Sequence, residues 1–588
     1  MPSREQFVPL KIAPGVFKNG TRYQAKGRWY DANCLRWYEG IMGPIGGWTN
    51  VQDATKKVNM QAGDEAGTAT GAQSSTTLKD TSKTWTVSQW AGYVVQTTSG
   101  TGLGQTRTIV DNTADTLTVT PAWTVTPVTA DTRYTIGGRP RGSLGWRNNS
   151  KTSFLAVGTS KKLWRYSNGA ILDITPAGLV TGRVDGAYAA GGYGSGAYGA
   201  GAYGVDAGAL TLNHADTWQL DNYGELLVAC LTSDGKLYKS DFVSNTATQI
   251  PGSPTGCAGL VVTPERFLVA LGGDSDAREV RWALQESALT NANDWTIDGI
   301  TSAGSFSISS KGRLVAGRRT RRQTLLWTDV DVYAMTFVAG DAVYAFEQLG
   351  DNCGLVAPNA MVVLGDIAFW MSYGKFFVYD GALKPLQCDV LDFVFQDLNL
   401  QQRAKVTCVA NALFDEVIWF YPSNTQVGAL ENDKYVAFNY RENHWTIGTL
   451  GRDTGIDRGA FDLPLYLDRD GVIYQHEDGQ NRSNAGAVFA ESGPVEIADV
   501  SMQMSDSSAV MHVNRYIPDE KTLGDVRLTL KGSLWPTDTE KTVGPFAANS
   551  PTNTRFLARN VRVRVDEAVA TLWRLGVPRI GVVPGGRR

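Results

Sequence analysis

The stretch that decides the fold is YGKFFVYDG, residues 373–381, because its apolar core between two glycine-containing turns recurs along the chain. The clear copies are SKKLWRYSNG (160–169), DGKLYKSD (234–241) and DGVIYQHEDG (470–479). Each copy centres on a pair of large apolar residues, such as Phe376-Phe377 or Leu163-Trp164. Gly, Asp and Asn on both sides of an apolar pair are typical of a β-hairpin.

Weaker copies of the same unit contain Val280-Arg281-Trp282, Val332-Tyr333 and Tyr435-Val436. Successive copies are mostly separated by roughly 40 to 60 residues, the period of a four-stranded propeller blade. We therefore predict a β-propeller-like body over residues 139–485. A series of ordinary hairpins in β-sandwiches is the alternative, and the spacing does not fix the number of blades.

Composition agrees with an all-β fold of several domains. A chain of 588 residues is too long for one hydrophobic core, and 42% hydrophobic residues exclude general disorder. The 64 Gly, 22 Tyr and 17 Trp favour turn-dense structure with aromatic-rich strands. A formal net charge of −3 gives no reason to expect tight nucleic-acid binding by the whole surface.

The N-terminal segment, residues 1–58, is predicted to be an extended arm. Its central part, KIAPGVFKNGTRYQAKGRWYDANCLRWYEGIMGPIGGW (11–48), alternates short aromatic runs with Gly and Pro turns. Large aromatic residues are enriched at protein interfaces, so we expect this arm to contact an adjacent subunit or an adaptor protein. The interface candidates are Trp29, Tyr30, Trp37 and Trp48.

Two further units are expected on either side of the body. Residues 61–76 read as a small polar linker, and residues 77–137 as an inserted small β module that rejoins the body at Gly137-Gly138. Residues 486–588 are predicted to form a C-terminal β domain. There, valines at 561, 563 and 565 alternate with arginines, the pattern of a half-buried strand with one basic face.

No catalytic or metal-binding motif stands out. The six Cys lack a C-x-x-C pair and the four His are far apart, so we expect buried free thiols and neither a metal nor a cofactor. Asp468-Arg469-Asp470-Gly471 fits a polar hairpin turn better than an incomplete calcium loop. A pair of glycosidase carboxylates is left open by the sequence. We predict that the protein is not an enzyme, has no membrane anchor and is made in a reducing compartment.

Two segments are candidates for contact with nucleic acid or with other proteins. Between Gly299 and Thr328 there is no acidic residue, and the segment holds the DNA-channel candidates Lys311, Arg313, Arg318, Arg319, Arg321 and Arg322. Basic clusters suit phosphate contacts without base reading, although a solvated strand face or pairing with a neighbour's acids is an equal alternative. The Gly/Tyr-rich loop at 186–204 carries the channel-loop or fibre-contact candidates Tyr188, Tyr193, Tyr198 and Tyr203. Of the two segments, the basic run is favoured as the element that faces DNA.

Several longer motifs resemble one protein family. They are GRWYDANCLRWYEG with GPIGGW near the N-terminus, TWQLDNYGELLVAC (217–230), PERFLVALG (264–272), VRWALQES (280–287), NCGLVAPNAMVVLGDIAFWMSYGKFFVYDG (352–381) and the ending WRLGVPRIGVVPGGRR. Together they resemble the tail nozzle, or packaged-DNA stabilisation, proteins of short-tailed bacteriophages. The similarity covers residues 1–58 and 139–588, and the 77–137 unit resembles a β module found inserted in phage structural proteins.

The resemblance implies a virion structural protein. In that family, propeller-containing subunits form a homohexameric ring below the portal and its adaptor, retain packaged double-stranded DNA and conduct it at ejection. The implied partners are the adaptor, tail fibre or spike proteins, and DNA bound without sequence specificity. The implied location is the virion tail, after assembly in the bacterial cytoplasm. Two alternatives are a minor tail or hub protein of a long-tailed phage, and a propeller-type glycan-binding or glycan-cleaving tail component.

Overall fold

The computed structural model describes residues 5–188, 212–241, 244–273, 275–340, 342–425, 430–483, 485–496 and 509–587. Across these ranges the chain is almost entirely β-strand. The described ranges contain one α-helix, Leu391–Asp397, and two short 3-10 helices, Ala292–Trp295 and Arg403–Lys405. In the same ranges, no helix is both long and apolar enough to cross a membrane. The all-β prediction is confirmed.

Seven four-stranded antiparallel sheets make up the body in the part of the chain that the structure describes. Sheets 1 and 2 contain Pro140–Arg147, Ser153–Thr159, Leu163–Ser167 and Ala170–Asp173, then Trp218–Tyr223, Leu226–Leu231, Leu237–Ser240 and Thr248–Gln249. Sheets 3 and 4 contain Gly259–Val262, Leu268–Leu271, Glu279–Trp282 and Gly304–Ser307, then Leu314–Arg319, Thr324–Thr328, Val332–Phe337 and Tyr344–Gly350. Sheets 5 and 6 contain Met361–Leu364, Ile367–Met371, Phe376–Tyr379 and Leu383–Leu386, then Thr407–Asn411, Glu416–Tyr421, Lys434–Asn439 and His444–Thr449. Sheet 7 contains Thr454–Ile456, Leu465–Leu467 and Ile473–His476, and takes its fourth strand, Trp48–Asn50, from the N-terminal segment.

The sheets pack face to face in a closed circle, which gives the body its propeller-like form. Apolar clusters join sheet 1 to sheet 2 and continue between neighbours to sheet 7, whose Leu465, Leu467 and Ile473 pack on Leu155 and Val157 of sheet 1. The first strands of most neighbouring sheets contact each other, so the first strands lie at the centre. The strand Trp48–Asn50, from the N-terminal segment, completes sheet 7 and so helps to close the circle.

Every copy of the sequence repeat is the third strand of a sheet. The apolar pairs at 163–164, 237–238, 332–333, 376–377, 435–436 and 473–474, with Val280 and Trp282, are all buried. Adjacent residues of a strand point to opposite faces, so two buried neighbours require a sheet that is covered on both sides. The repeat therefore marks sheets stacked between two neighbours.

The inserted module is longer than predicted. Its six-stranded sheet has the order Gly63–Thr68, Arg133–Gly137, Val94–Ser99, Thr106–Asn112, Thr116–Thr120 and Thr77–Lys79, around its own core of residues that include Trp85, Trp90 and Trp123. The predicted linker at 61–76 is wrong in its first half, because Gly63–Thr68 pairs with Arg133–Gly137. Small polar residues are typical of linkers, but this segment is a strand because it pairs with another strand at least 65 residues further along the chain.

The C-terminal domain is a β-sandwich that both chain ends build. One sheet has the order Gln6–Pro9, Arg579–Arg587, Ala509–Ile517 and Thr552–Ala558. The other has the order Ala13–Val16, Arg28–Asn33, Phe489–Ser492, Asn560–Glu567, Val526–Ser533 and Lys541–Ala547, with Val495–Glu496 also paired to Asn560–Glu567. The valines at 561, 563 and 565 are buried, as predicted, but Arg562 between them is buried as well, so the predicted half-buried strand is wrong at that position.

The prediction that residues 1–58 form an extended arm is wrong for the part of this segment that the structure describes. Residues 6–50 supply strands to the sandwich and to sheet 7, together with the hairpin Leu35–Tyr38 and Ile41–Pro44. Trp29, Trp37 and Trp48 are 5%, 2% and 1% exposed within their own chain, so their side chains offer almost no surface to another subunit. Tyr30 is half-buried. A strand's backbone pairs with any free sheet edge, and here the available edges belong to the same subunit.

Candidate functional site

A cavity of about 400 Å³ lies near the centre of the body and is referred to below as the axial cavity. Sheets 2 to 6 contribute to its walls, through residues near the starts of their first strands and through turns between their second and third strands. The segment Leu212–Ala215 completes the wall, and its first two residues form a short strand pair with Ala187–Tyr188. Ligand pockets of propellers are commonly built this way, from loops that converge from several blades.

The axial cavity has one more basic than acidic charge among its described lining residues. Arg183 is paired with Asp216 at 3.1 Å, and Arg313 with Asp329 at 3.6 Å. Asp216 is buried and also accepts hydrogen bonds from the backbone N–H of Arg183 and the hydroxyl of Thr232. Arg403 has no carboxylate partner among the residues that the structure describes. Its guanidinium lies 5.4 Å from the ring centre of Tyr373.

His214 is held neutral beside these arginines. The Arg403 guanidinium lies 3.0 Å from His214 Nε2 and can only donate, so Nε2 accepts and the imidazole proton is on Nδ1. Burial, followed by Arg403, Arg313 and Arg183, lowers the pKa of His214 to about 4. The three arginines of the cavity therefore disfavour a further positive charge on His214.

Next to the cavity, polar side chains fill the centre of the body. Arg141, in the first strand of sheet 1, donates to Glu431 at 2.8 Å, and Lys405 donates to the same carboxylate at 3.1 Å. Although burial opposes the effect, Arg141 and Lys405 lower the pKa of Glu431 to about 2. Burial and the neighbouring Glu431 raise the pKa of Asp453.

A second chain of hydrogen bonds connects the first strands across the centre. Arg318 donates to the Gln219 side-chain oxygen at 3.1 Å, Gln219 donates to Asn359 at 3.2 Å, and Asn359 donates to the Arg141 carbonyl at 3.0 Å. Sheets 1, 2 and 4 and the segment before sheet 5 are joined in this way. These contacts occupy the position where an open propeller channel would lie.

The basic run from Lys311 to Arg322 is not one surface. Arg318 and Arg319 turn towards sheet 2, where Arg319 donates to Asn222 at 2.7 Å. The remaining four residues lie at the two ends of Leu314–Arg319, a separation of about 20 Å for a six-residue strand. Lys311 and Arg313 are exposed at one end, and Arg321 and Arg322 at the other. The structure therefore splits the predicted cluster into two half-buried residues that bond to sheet 2 and four exposed residues at the two ends of the strand.

The predicted basic face of the C-terminal strand is largely neutralised. Arg562 is 4% exposed and is paired with Glu540 at 2.6 Å and with Glu491. Arg564 pairs with Asp566 at 2.8 Å. The acids come from neighbouring positions and strands, so this alternation marks an internal ion network and not a phosphate-binding face.

One pair of neighbouring carboxylates bears on the glycosidase alternative, with Glu416 buried and Glu477 half-buried. Glu416 and Glu477 both accept hydrogen bonds from Arg36, at 2.8 and 2.7 Å from Nη2. The Arg36 guanidinium also lies 3.7 Å from the ring centre of Phe414. Both carboxylates are thus already bound to a cation that connects the N-terminal hairpin with sheets 6 and 7. Asp468–Gly471 is a hairpin turn, as predicted, in which Asp468 accepts from the backbone of Asp470 and Val472.

The other predicted site residues fall into two groups. Tyr188 is 54% exposed at the edge of the axial cavity's short strand pair, whereas Tyr193, Tyr198 and Tyr203 lie outside the described residues. The free-thiol prediction is confirmed, because no disulfide bond joins any of the six cysteines and five of them are buried. Across the described ranges, no cluster of three or more His, Cys, Asp or Glu could hold a metal ion.

No protein-family model matches the chain, and no curated protein is significantly similar to it. The sequence did not predict the axial cavity. Of its charged and histidine residues, Arg313 was singled out but Arg183, His214 and Arg403 were not. A weak signal exists in hindsight: Arg183 and His214 closely flank the Gly/Tyr-rich segment. Arg403 carries no local signal, since it comes from a segment far along the chain.

Proposed function

We propose that the protein is a structural component of a phage virion, a tail nozzle that forms a ring below the portal and adaptor and retains packaged double-stranded DNA until ejection. The observation that carries this proposal is the architecture. A closed, propeller-like body is joined to a sandwich that contains both chain ends, and a separately cored module is attached to the body. This is the kind of rigid building block that the sequence resemblance implies.

In this proposal, DNA passes between subunits and not through one of them. The polar network of Arg141, Gln219, Asn359 and Glu431 fills the centre of the body. The lumen would therefore be enclosed by several copies, six in the family that the sequence resembles. Of the basic run, Arg321 and Arg322 are the best candidates for contact with phosphate, because they are adjacent and exposed, and Arg322 keeps 87% of its side chain exposed beside a 3.9 Å ion pair with Asp366.

Electron microscopy tests the proposed ring. Images of the purified protein and of the intact virion should show a closed ring whose lumen admits a duplex, attached on its upper side to the adaptor and on its outer side to fibres or spikes. A subunit that lies away from the DNA path, or in the hub of a long tail, would exclude the nozzle and favour the alternative of a hub protein.

Paired variants test the DNA contact. We expect R321Q/R322Q virions to lose their genomes early or to eject them more slowly, because phosphate contacts per subunit are removed while the fold is kept. R441Q, which removes another exposed arginine, is the matched control. Equal genome retention in both variants would remove Arg321 and Arg322 from the proposal.

The second candidate function is glycan binding by a tail component. It is favoured by the axial cavity, whose lining combines Tyr373 with arginines. For glycan cleavage, the Glu416 and Glu477 pair gives no support, since Arg36 occupies both carboxylates. We propose that the protein has no catalytic turnover, and reproducible cleavage of host polysaccharide or peptidoglycan by the purified protein would contradict this.

A further inference from the structure

The arginines of the axial cavity are not equivalent. Asp216 and Asp329 each neutralise one arginine, whereas Arg403 faces a neutral imidazole. The described lining of the cavity therefore has a net charge of about +1, and an arginine without a carboxylate partner is well suited to a bidentate contact with an oxyanion. This charge balance matches a ligand with a single negative charge.

Two side chains in the wall also carry buried polar atoms without a hydrogen-bond partner in the described part of the chain. These atoms are Nδ1 of His214 and the hydroxyl oxygen of Thr217. Both atoms are shielded from solvent, so they lie behind the surface of the cavity, and the class of ligand is argued from Arg403 and Tyr373.

The size and the wall composition narrow the class of ligand further. A cavity of about 400 Å³ lies within the usual range for small-molecule sites, about 300–1,000 Å³. Tyr373 lines it and is 47% exposed, which leaves an aromatic surface beside Arg403. Aromatic faces pack on the apolar side of sugar rings, and the arginine supplies the contact for a charged substituent.

We propose that the axial cavity is a binding site for a small oxyanion-bearing molecule, with the acidic monosaccharides as its ligand class. Arg403 pairs with the carboxylate and Tyr373 packs on the sugar ring. The proposal is argued from the axial cavity of one subunit alone, so it stands or fails independently of the nozzle proposal.

Calorimetric titration of the full chain at low salt tests the site with three probes. Glucuronate should bind, and glucose, which has the same ring without the charge, should bind at least about tenfold more weakly, a difference of about 1.4 kcal/mol. Inorganic phosphate separates the two parts of the proposal. Binding of phosphate but not of glucuronate would overturn the sugar assignment, and failure of both to bind at millimolar concentrations would overturn the site.

Variants distinguish the cavity from non-specific binding to basic surface. R403Q should weaken glucuronate binding at least about tenfold, R403K should recover part of the affinity, and the exposed-surface control R441Q should bind like the unmodified protein. Y373A should weaken glucuronate binding and leave phosphate binding unchanged. Equal affinities of R403Q and the unmodified protein would overturn the proposal, provided that the two have the same melting temperature.

Discussion

At the scale of single residues, buried charges connect segments that are far apart in sequence. Arg36, 4% exposed, contacts Glu416 and Glu477 and so joins the N-terminal hairpin to sheets 6 and 7. Burial raises the pKa of Glu416, and the Arg36 guanidinium opposes that shift. Loss of Arg36 would leave the buried Glu416 and the half-buried Glu477 without this cation.

We expect R36A to lower the stability of the folded chain by about 3–5 kcal/mol, the usual cost of breaking a buried ion pair from one side. The matched control is R441A, which removes a 70% exposed side chain with an ion pair of 3.5 Å to Asp415. An exposed pair of this kind contributes about 0–1 kcal/mol. Scanning calorimetry should separate the two variants clearly, and equal melting temperatures would show that the buried cluster has little effect on stability.

The half-buried histidine of the axial cavity, His214, makes stability depend on pH. The pKa of His214 is about 4 in the folded chain and about 6.5 in an unfolded one. Between these values only the unfolded chain takes up the proton, so stability is full above about pH 6.5 and falls as the pH is lowered towards 4. The groups that face His214 are Arg403, Arg313 and Arg183, which disfavour its charging, and Asp216, which favours it.

H214Q keeps an acceptor for Arg403 but cannot be charged. We therefore expect its melting temperature to fall less steeply than that of the unmodified protein between pH 6.5 and 4. H512Q, which removes an exposed imidazole in the sandwich, is the control. Identical pH dependence in H214Q and the unmodified protein would mean that His214 does not carry this effect. His444 and His476, whose pKa values burial also lowers, contribute the same dependence in both variants.

At the scale of elements, close packing between sheets depends on small residues at particular positions. Gly158, in the second strand of sheet 1, leaves room for Trp218 of sheet 2, and a Cβ at 158 would lie 2.2 Å from the indole ring. Trp218 is fully buried and donates from its indole nitrogen to the Thr159 carbonyl at 2.7 Å. The ring cannot move without losing that hydrogen bond.

We expect G158A to destabilise the protein by about 1–3 kcal/mol, the typical cost of overpacking a core. G273A is the matched control, because the nearest atom to its new Cβ would be the flexible Glu279 carboxylate at 3.3 Å. Its effect should stay within about 0.5 kcal/mol. A denaturation series on both variants checks the difference, and a neutral G158A would mean that the contact between sheets 1 and 2 is loosely packed.

The short strand Trp48–Asn50 is important for the closure of the body. It completes sheet 7, and Trp48 stacks on His476 with ring centres 5.0 Å apart. We expect W48A to cost about 3–5 kcal/mol in the isolated subunit, as for other large-to-small core substitutions. Y30A, at a half-buried position of the same segment, should cost clearly less. If the segment were an arm for a neighbouring subunit, W48A would change assembly and leave the stability of the monomer unaltered.

At the scale of the whole molecule, the module at 63–137 is attached through adjacent chain ends. Gly63 and Gly137 are paired, and the Gly138 N–H donates to the Ala62 carbonyl at 3.0 Å. Adjacent ends are the usual condition for a tolerated insertion. The contacts with the body include Asp64 with Ser160 at 2.9 Å, and Lys161 and Arg139 at 4.0 and 3.9 Å from the rings of Trp90 and Tyr93.

Replacement of residues 64–136 by Asn-Gly should therefore leave the rest of the subunit folded. The dipeptide closes two paired strands in a type I′ turn, which suits the existing Gly63–Gly137 pair. We expect a soluble protein with a single shift of a few degrees in melting temperature, and a separately expressed 63–137 fragment that folds around its own tryptophans. Insoluble expression of the shortened chain would show that the body depends on the module.

Sequence alone determined the β character, the recurring apolar unit that proves to be the third strand of each body sheet, and the burial of the valines at 561, 563 and 565. These features are local, because alternation and turn residues act on neighbouring positions along one strand. Tertiary structure decided where the strands pair: residues 6–50 complete the sandwich and sheet 7, although their aromatic pattern suits an interface equally well. Backbone hydrogen-bonding groups are the same at every sheet edge, so the choice of edge depends on the packing of the whole chain.

The same distinction holds for charge and for the site. The sequence shows Arg318, Arg319 and Arg562 in basic stretches, and the structure gives them polar or acidic partners between 20 and about 100 residues away. The axial cavity brings Arg183, His214 and Arg403 together only because five sheets converge on one point. Neither pairing over such distances nor the shape of a cavity is encoded in a local pattern, because both arise from the way the seven sheets close into a circle.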